Sequence, residues 1–145
     1  MVYLADTNVA ARRILTQDPA HAQIKVAVDT LILRGETVAI TAQNLVEFQA
    51  LATRPLEANG LGLTTAEANE QARDMEAVFP FLEEIPSVYT YWRTPMERYD
   101  VRGRQVYDAR LVAVMLAHSV THLLTTNAGH FRRFSEITVV EPKEV

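Results

Sequence analysis

With 145 residues, 48% of them hydrophobic and 22% charged, the chain has the length and composition of one globular domain spanning 1–145. The lack of cysteine excludes a disulfide framework, a thiolate metal site and a cysteine nucleophile. A net charge of −4 argues against a generic nucleic-acid coat, whose affinity comes from excess Lys and Arg, but allows an acidic site with a local basic rim.

In chain order, Val2 to Ala5 is a short apolar run ending at Asp6 and reads as a buried strand. Asn8 to Leu15 reads as a helix. Asp18 followed by Pro19 is expected to cap a second helix, with Ile24, Ala27, Val28, Leu31 and Ile32 on its apolar face and Gly35 at its end. Thr37 to Ile40 is the second strand, and Thr41 caps a helix over Ala42 to Thr53. Arg54 to Leu63, with one proline and two glycines, is a loop. Thr64 and Glu67 form a capping box for a helix to about Val78, stopped by Pro80. A short strand is expected within Phe81 to Ile85. Ser87 to Tyr99 is helical in pattern, with a break or restart at Pro95. Gln105 to His118 is a helix, and Thr121 to Thr125 and Ile137 to Val140 are the last strands.

Strands separated by helices require crossover connections. They predict an α/β fold, a three-layer α/β/α sandwich around a mainly parallel sheet. Sites in such sheets gather beyond the carboxyl ends of the strands. Asp6 ends the first strand, and Thr125, Thr126 and Asn127 follow a later one. Glu47 lies in the second turn of the helix after the second strand, and Asp108 in the first turn of its own helix. All can face one crevice.

Each acid also has a plainer explanation. Asp6 can be a helix cap, Glu47 can lie on the wet stripe of its helix, and Asp108 is favoured in a first turn by the helix dipole. Together they say more. Two carboxylates about 4 Å apart repel by roughly 4 kcal/mol at an effective dielectric near 20. Three in a crevice must protonate or bind a cation, and carboxylates without Cys or clustered His select Mg²⁺ or Mn²⁺. Thr7, Asn8, Thr126 and Asn127 would orient the acids or their waters. Arg12, Arg104 and Arg110 lie near the acids in sequence and suit phosphate contacts, although solvated helix faces explain each equally well.

At these residues the chain resembles the PIN-domain family, in particular VapC-type toxins of bacterial toxin–antitoxin pairs. LADTNV is similar to the family's first-strand aspartate motif, NLVEFQAL to its glutamate helix, and VRGRQVYDARLVAVMLA to its later aspartate segment. The resemblance implies metal-ligand roles for Asp6, Glu47 and Asp108. LLTTNAGHF is similar to the closing motif and places Asn127 at the site. Many relatives carry an aspartate where this chain has His130. The resemblance further implies cleavage of RNA with Mg²⁺ or Mn²⁺, a homodimer and neutralisation by a small antitoxin.

Two other classes stay open from the residues. One is a catalytically degenerate PIN module that binds RNA or a protein partner, which the His130 substitution suggests. The other is a phosphotransfer domain with Asp6 as nucleophile, although Asn8 stands where such enzymes usually carry a second aspartate. There is no Walker loop or dinucleotide-binding glycine motif. No apolar run reaches the roughly 18 residues of a membrane span and no basic leader is seen, so a cytoplasmic protein without a membrane partner is expected.

Overall fold

Along Val2–Ala5 (β1), side chains alternate between two cores. Tyr3 and Ala5 enter one apolar cluster, and Leu4 enters another on the opposite face. A strand that buries both faces belongs at the centre of a covered parallel sheet. The computed structural model, which describes residues 1–145, places it there. The strands Thr37–Thr41 (β2), Phe81–Leu82 (β3), His122–Leu124 (β4) and Thr138–Val140 (β5) complete a five-stranded sheet in the order β3-β2-β1-β4-β5. Every pairing is parallel. Tyr3 is in register with Val38 on one side and His122 on the other.

The helices Thr7–Ile14 (α1), His21–Leu33 (α2), Ala42–Thr53 (α3) and Thr65–Val78 (α4) contribute to the cluster containing Tyr3, Ile40 and Phe48. On the other face, Ser87–Arg98 (α5), Gln105–Ala117 (α6) and the single turn Ala128–Phe131 (α7) pack around Leu4, Leu111 and Phe131. The result is the α/β/α sandwich expected from the sequence. Leu111 to Met115 are all buried, so α6 has no wet side over that stretch. No helix is long and apolar enough to cross a membrane.

Two local expectations are corrected. The helix through Pro95 neither breaks nor restarts, but runs from Ser87 to Arg98. Proline removes the one N–H that would reach the carbonyl of Tyr91, and Pro95 itself is buried in the packed helix. The second helix begins at His21 rather than at Pro19. Asp18 instead caps the turn before it, accepting the N–H of Ala20 on its carboxylate (2.8 Å) and that of His21 on its carbonyl (2.9 Å). Gly35 ends α2 with φ +78°, a left-handed conformation that favours glycine.

Candidate active site

The sheet ladder itself brings Asp6 and Thr125 together. Asp6 N–H donates to the Leu124 carbonyl (2.9 Å), and Thr125 N–H to that of Val140 (3.0 Å), so pairing continues just past the ends of β1 and β4. The Thr125 hydroxyl then donates to Asp6 Oδ2 (2.7 Å), and the Thr7 N–H to Asp6 Oδ1 (2.7 Å). Thr125 also accepts the N–H of Asn127 (3.0 Å). Asp6 does cap α1, but it does so while almost fully buried, at 7% exposure.

The α3 side is tied in by amides. Asn44 is fully buried. Its Oδ1 accepts from Thr41 N–H (2.7 Å) and Thr41 Oγ1 (3.2 Å), while its Nδ2 donates to the Ala5 carbonyl (3.1 Å) and Thr7 Oγ1 (3.1 Å). Thr7 in turn donates its hydroxyl to Glu47 Oε2 (2.6 Å). The other oxygen of Glu47 accepts from Gln43 Nε2 (2.7 Å), which also donates to the Tyr107 carbonyl (2.8 Å). Gln43 and Glu47 are four residues apart on one helix face, so this bond follows from helical spacing. Both oxygens of Asp6 and both of Glu47 are thereby held in place.

Asp108 closes the third side differently. It is half-buried in the first turn of α6, and the His130 ring lies beside it, with Nδ1 3.6 Å from Oδ2 and a side chain 64% exposed. Burial raises the Asp108 carboxyl above the usual carboxylate range and Glu47 adds to the rise, while His130, Arg133 and Arg104 oppose it. Asp6 is pushed up to about 6. Its burial is the main cause, countered by the Thr125 and Thr7 hydrogen bonds and reinforced by the charges of Glu47 and Asp108. The three acids share one electrostatic field.

No group of three or more acidic or histidine side chains is drawn tightly enough to enclose an ion by itself. Carboxylate oxygens are the donors that a hard ion such as Mg²⁺ prefers, and such an ion needs only one or two of them because it keeps much of its water. Thr126 Oγ1, beside Thr125, is buried without a hydrogen-bond partner.

The other residues singled out in the sequence are distributed as follows. Asn8 and Asn127 are half-buried near the ends of β1 and β4, where Asn127 takes part through its backbone. Arg104 and His130 stand on the exposed rim beside Asp108. Arg110 binds Glu84 Oε2 (2.9 Å) and Gln43 Oε1 (3.0 Å), one step behind Glu47. Arg12 lies in the last turn of α1, 3.6 Å from Asp18, at the opposite end of that helix from Asp6. Sequence reasoning assigned no role to Gln43, Asn44 or Thr125. For Asn44 a signal was present, since a Thr three residues before a side-chain acceptor, as in Thr41 to Asn44, is a capping pattern.

No family model matches the chain, and no curated protein sequence matches it. Solved structures do. The chain is similar to VapBC2 from Rickettsia felis bound to a DNA fragment from its promoter, with TM-score 0.72 and 16% identity over 97% of this chain and 98% of that one. FitAcB from Neisseria gonorrhoeae is similar at TM-score 0.68 and 20% identity over 100% of both chains. Mycobacterium tuberculosis VapC20, a sarcin-ricin loop cleaving toxin, is similar at TM-score 0.59 and 17% identity over 85% and 87%. The resemblance read from the sequence is borne out at the level of the fold, which is that of these VapC-type toxin structures.

Proposed function

We propose that this protein is a metal-dependent endoribonuclease and the toxin of a VapBC-type pair, acting in the cytoplasm as a homodimer and neutralised by a small antitoxin. The fold it shares with VapC20 and with toxin–antitoxin complexes supports the class. One observation carries the chemistry. A buried carboxylate at the carboxyl edge of the sheet, Asp6, is held by Thr7 and Thr125 within the field of Glu47 and Asp108. Such an arrangement is costly for stability and useful for binding a cation.

Asp6, Glu47 and Asp108 would hold Mg²⁺ or Mn²⁺, which supplies charge neutralisation and an acidified water for phosphodiester hydrolysis. The chain's own residues do the positioning. Thr125 and Thr7 fix both oxygens of Asp6, Gln43 and Thr7 fix those of Glu47, and Arg104 offers positive charge to phosphate at the open rim.

The test is incubation of defined RNAs with wild type and Asp108→Ala under EDTA, Mg²⁺ and Mn²⁺. Metal-dependent cleavage by the wild type alone is expected. Retention of RNA without turnover at saturating Mn²⁺ would instead favour a degenerate binding module. The observation behind that reading is His130, whose imidazole rather than a further carboxylate stands beside Asp108.

A further inference from the structure

The crevice does not end at Glu47. Beyond Gln43, a groove of about 400 Å³ opens between the segment after β3 and the helices α5 and α6. Its walls include Ile85, Pro86, Tyr89 and Trp92, and Glu84 and Arg110 stand at one end. The groove is joined to the candidate active site by an unbroken run of hydrogen bonds. Glu84 accepts from Arg110, Arg110 donates to Gln43, Gln43 donates to Glu47, and Glu47 accepts from Thr7. Glu84 also follows a strand end, so the groove lies on the same carboxyl edge as Asp6.

We infer that this groove is a subsite for a guanine base of single-stranded RNA, seated beside the hydrolytic centre. The inference rests on the proposed function for the substrate class, and on the groove's own chemistry for the base. Tyr89 is 66% exposed and lines the groove together with Trp92, whose ring centroid lies 6.1 Å from its own at a tilt of 41°, so two aromatic faces border the groove. Unstacked bases in single strands are held on such walls and read along their Watson–Crick edges. The charged end selects among them. Glu84 and Arg110 are each between a third and a half exposed. Their mutual bond uses only Oε2 of Glu84, and Arg110 spends two of its five N–H groups on Glu84 and Gln43. A carboxylate acceptor thus stands beside a guanidinium donor. Guanine presents two adjacent N–H donors, on the ring and the exocyclic amine, with a carbonyl acceptor next to them. Paired donors on a carboxylate form a charge-assisted bidentate contact, which adenine, cytosine and uracil cannot reproduce.

Trp92 is the only tryptophan in the chain and lines this groove, so its fluorescence follows the groove without another tryptophan contributing. The experiment titrates the full-length protein in EDTA with GMP, AMP, CMP, UMP and ribose 5-phosphate, and repeats it with Glu84→Gln and Tyr89→Ala. The expected result is saturable quenching by GMP, at least tenfold weaker binding of the other nucleotides and no response to ribose 5-phosphate. Glu84→Gln is expected to erase the guanine preference, and Tyr89→Ala to weaken every nucleotide while light scattering shows an unchanged oligomer. No quenching, equal quenching by ribose 5-phosphate, or a guanine preference that survives Glu84→Gln would overturn the inference. So would a change of oligomeric state in Tyr89→Ala with GMP binding intact, which would assign the groove to contact between copies of the chain. Because EDTA removes metal chemistry, the two readings fail separately. GMP binding without RNA cleavage under Mn²⁺ sinks the nuclease, and cleavage without GMP binding sinks only the subsite.

Discussion

Asp6 and Asp108 carry the same functional group, and the protein holds them by different means. Asp6 is enclosed at the joint of β1, β4 and α1, and each oxygen receives a hydrogen bond whose donor is itself set by the sheet or by a helix start. Asp108 sits half-exposed on α6, restrained by its helix and by surrounding charges rather than by hydrogen bonds. One carboxylate is preorganised at the expense of stability. The other stays free to adjust to what binds. The proposed function would draw on both, because a hydrated ion needs a fixed anchor and a long anionic substrate an adaptable rim.

The sharpest way to break this comparison is to neutralise each acid in turn. Asp6→Asn and Asp108→Asn are both expected to lower metal-dependent RNA cleavage by about 100-fold or more, as losses at a metal site do. Their stabilities should diverge. The carboxyl of Asp6 is raised from 3.8 to about 6 in the folded protein. The folded state therefore binds this proton more tightly than the unfolded chain. Its stabilising contribution is complete below pH 3.8 and is lost as pH rises through about 6, a difference of about 3 kcal/mol. Chemical denaturation at pH 7 should find Asp6→Asn more stable than wild type by up to that amount, with the pH 4–7 decline flattened. Asp108→Asn should change stability by less than about 1 kcal/mol, as a half-exposed group does. Equal stabilities for the two variants would refute the contrast.

Next in size is the amide that braces the fixed side. Asn44→Ala would strand the Thr41 N–H and the Ala5 carbonyl in a fully buried setting, a loss on the order of 3 kcal/mol measurable by urea denaturation. Thr125→Val removes one donor to Asp6 and should cost about 1–2 kcal/mol at pH 7, where the carboxylate is mostly ionised. It should also move the pH-dependent decline to higher pH, because the hydroxyl is what lowers the Asp6 carboxyl. An unmoved decline would mean that the hydroxyl bond contributes nothing to holding the charge.

The difference between the two sides also explains what the sequence made legible. The strands, the sandwich and the three acids could be read because apolar runs ending in polar residues carry that information locally. The choice between Thr125 and Thr126 could not be read. Leu123 and Leu124 are both fully buried, so the strand lacks the in–out alternation that would show which threonine faces Asp6. Ladder pairing to Val140 and Leu124 decides it, and that is tertiary. Arg110 was legible only as a cation near Asp108, because Gln43 lies 67 residues away from it in the chain and Glu84 lies 26 away. Pro95 misled for the opposite reason. Its local rule is sound, but packing of α5 on α6 outweighs one lost helical hydrogen bond.

The smallest stability effect belongs to the adaptable side, and it tests that side most directly. His130 is 64% exposed, so His130→Asp should leave stability within about 0.5 kcal/mol of wild type. The consequence for an ion should be larger. The imidazole, whose Nδ1 lies 3.6 Å from Asp108 Oδ2, opposes the rise of the Asp108 carboxyl, and replacing it with a second carboxylate should raise that carboxyl further while adding a hard oxygen donor beside it. Calorimetric titration should then show tighter Mn²⁺ binding at alkaline pH and a steeper loss of affinity on acidification than in wild type. Unchanged affinity would mean that position 130 lies outside the reach of any ion held by Asp108. The open rim would then serve phosphate alone.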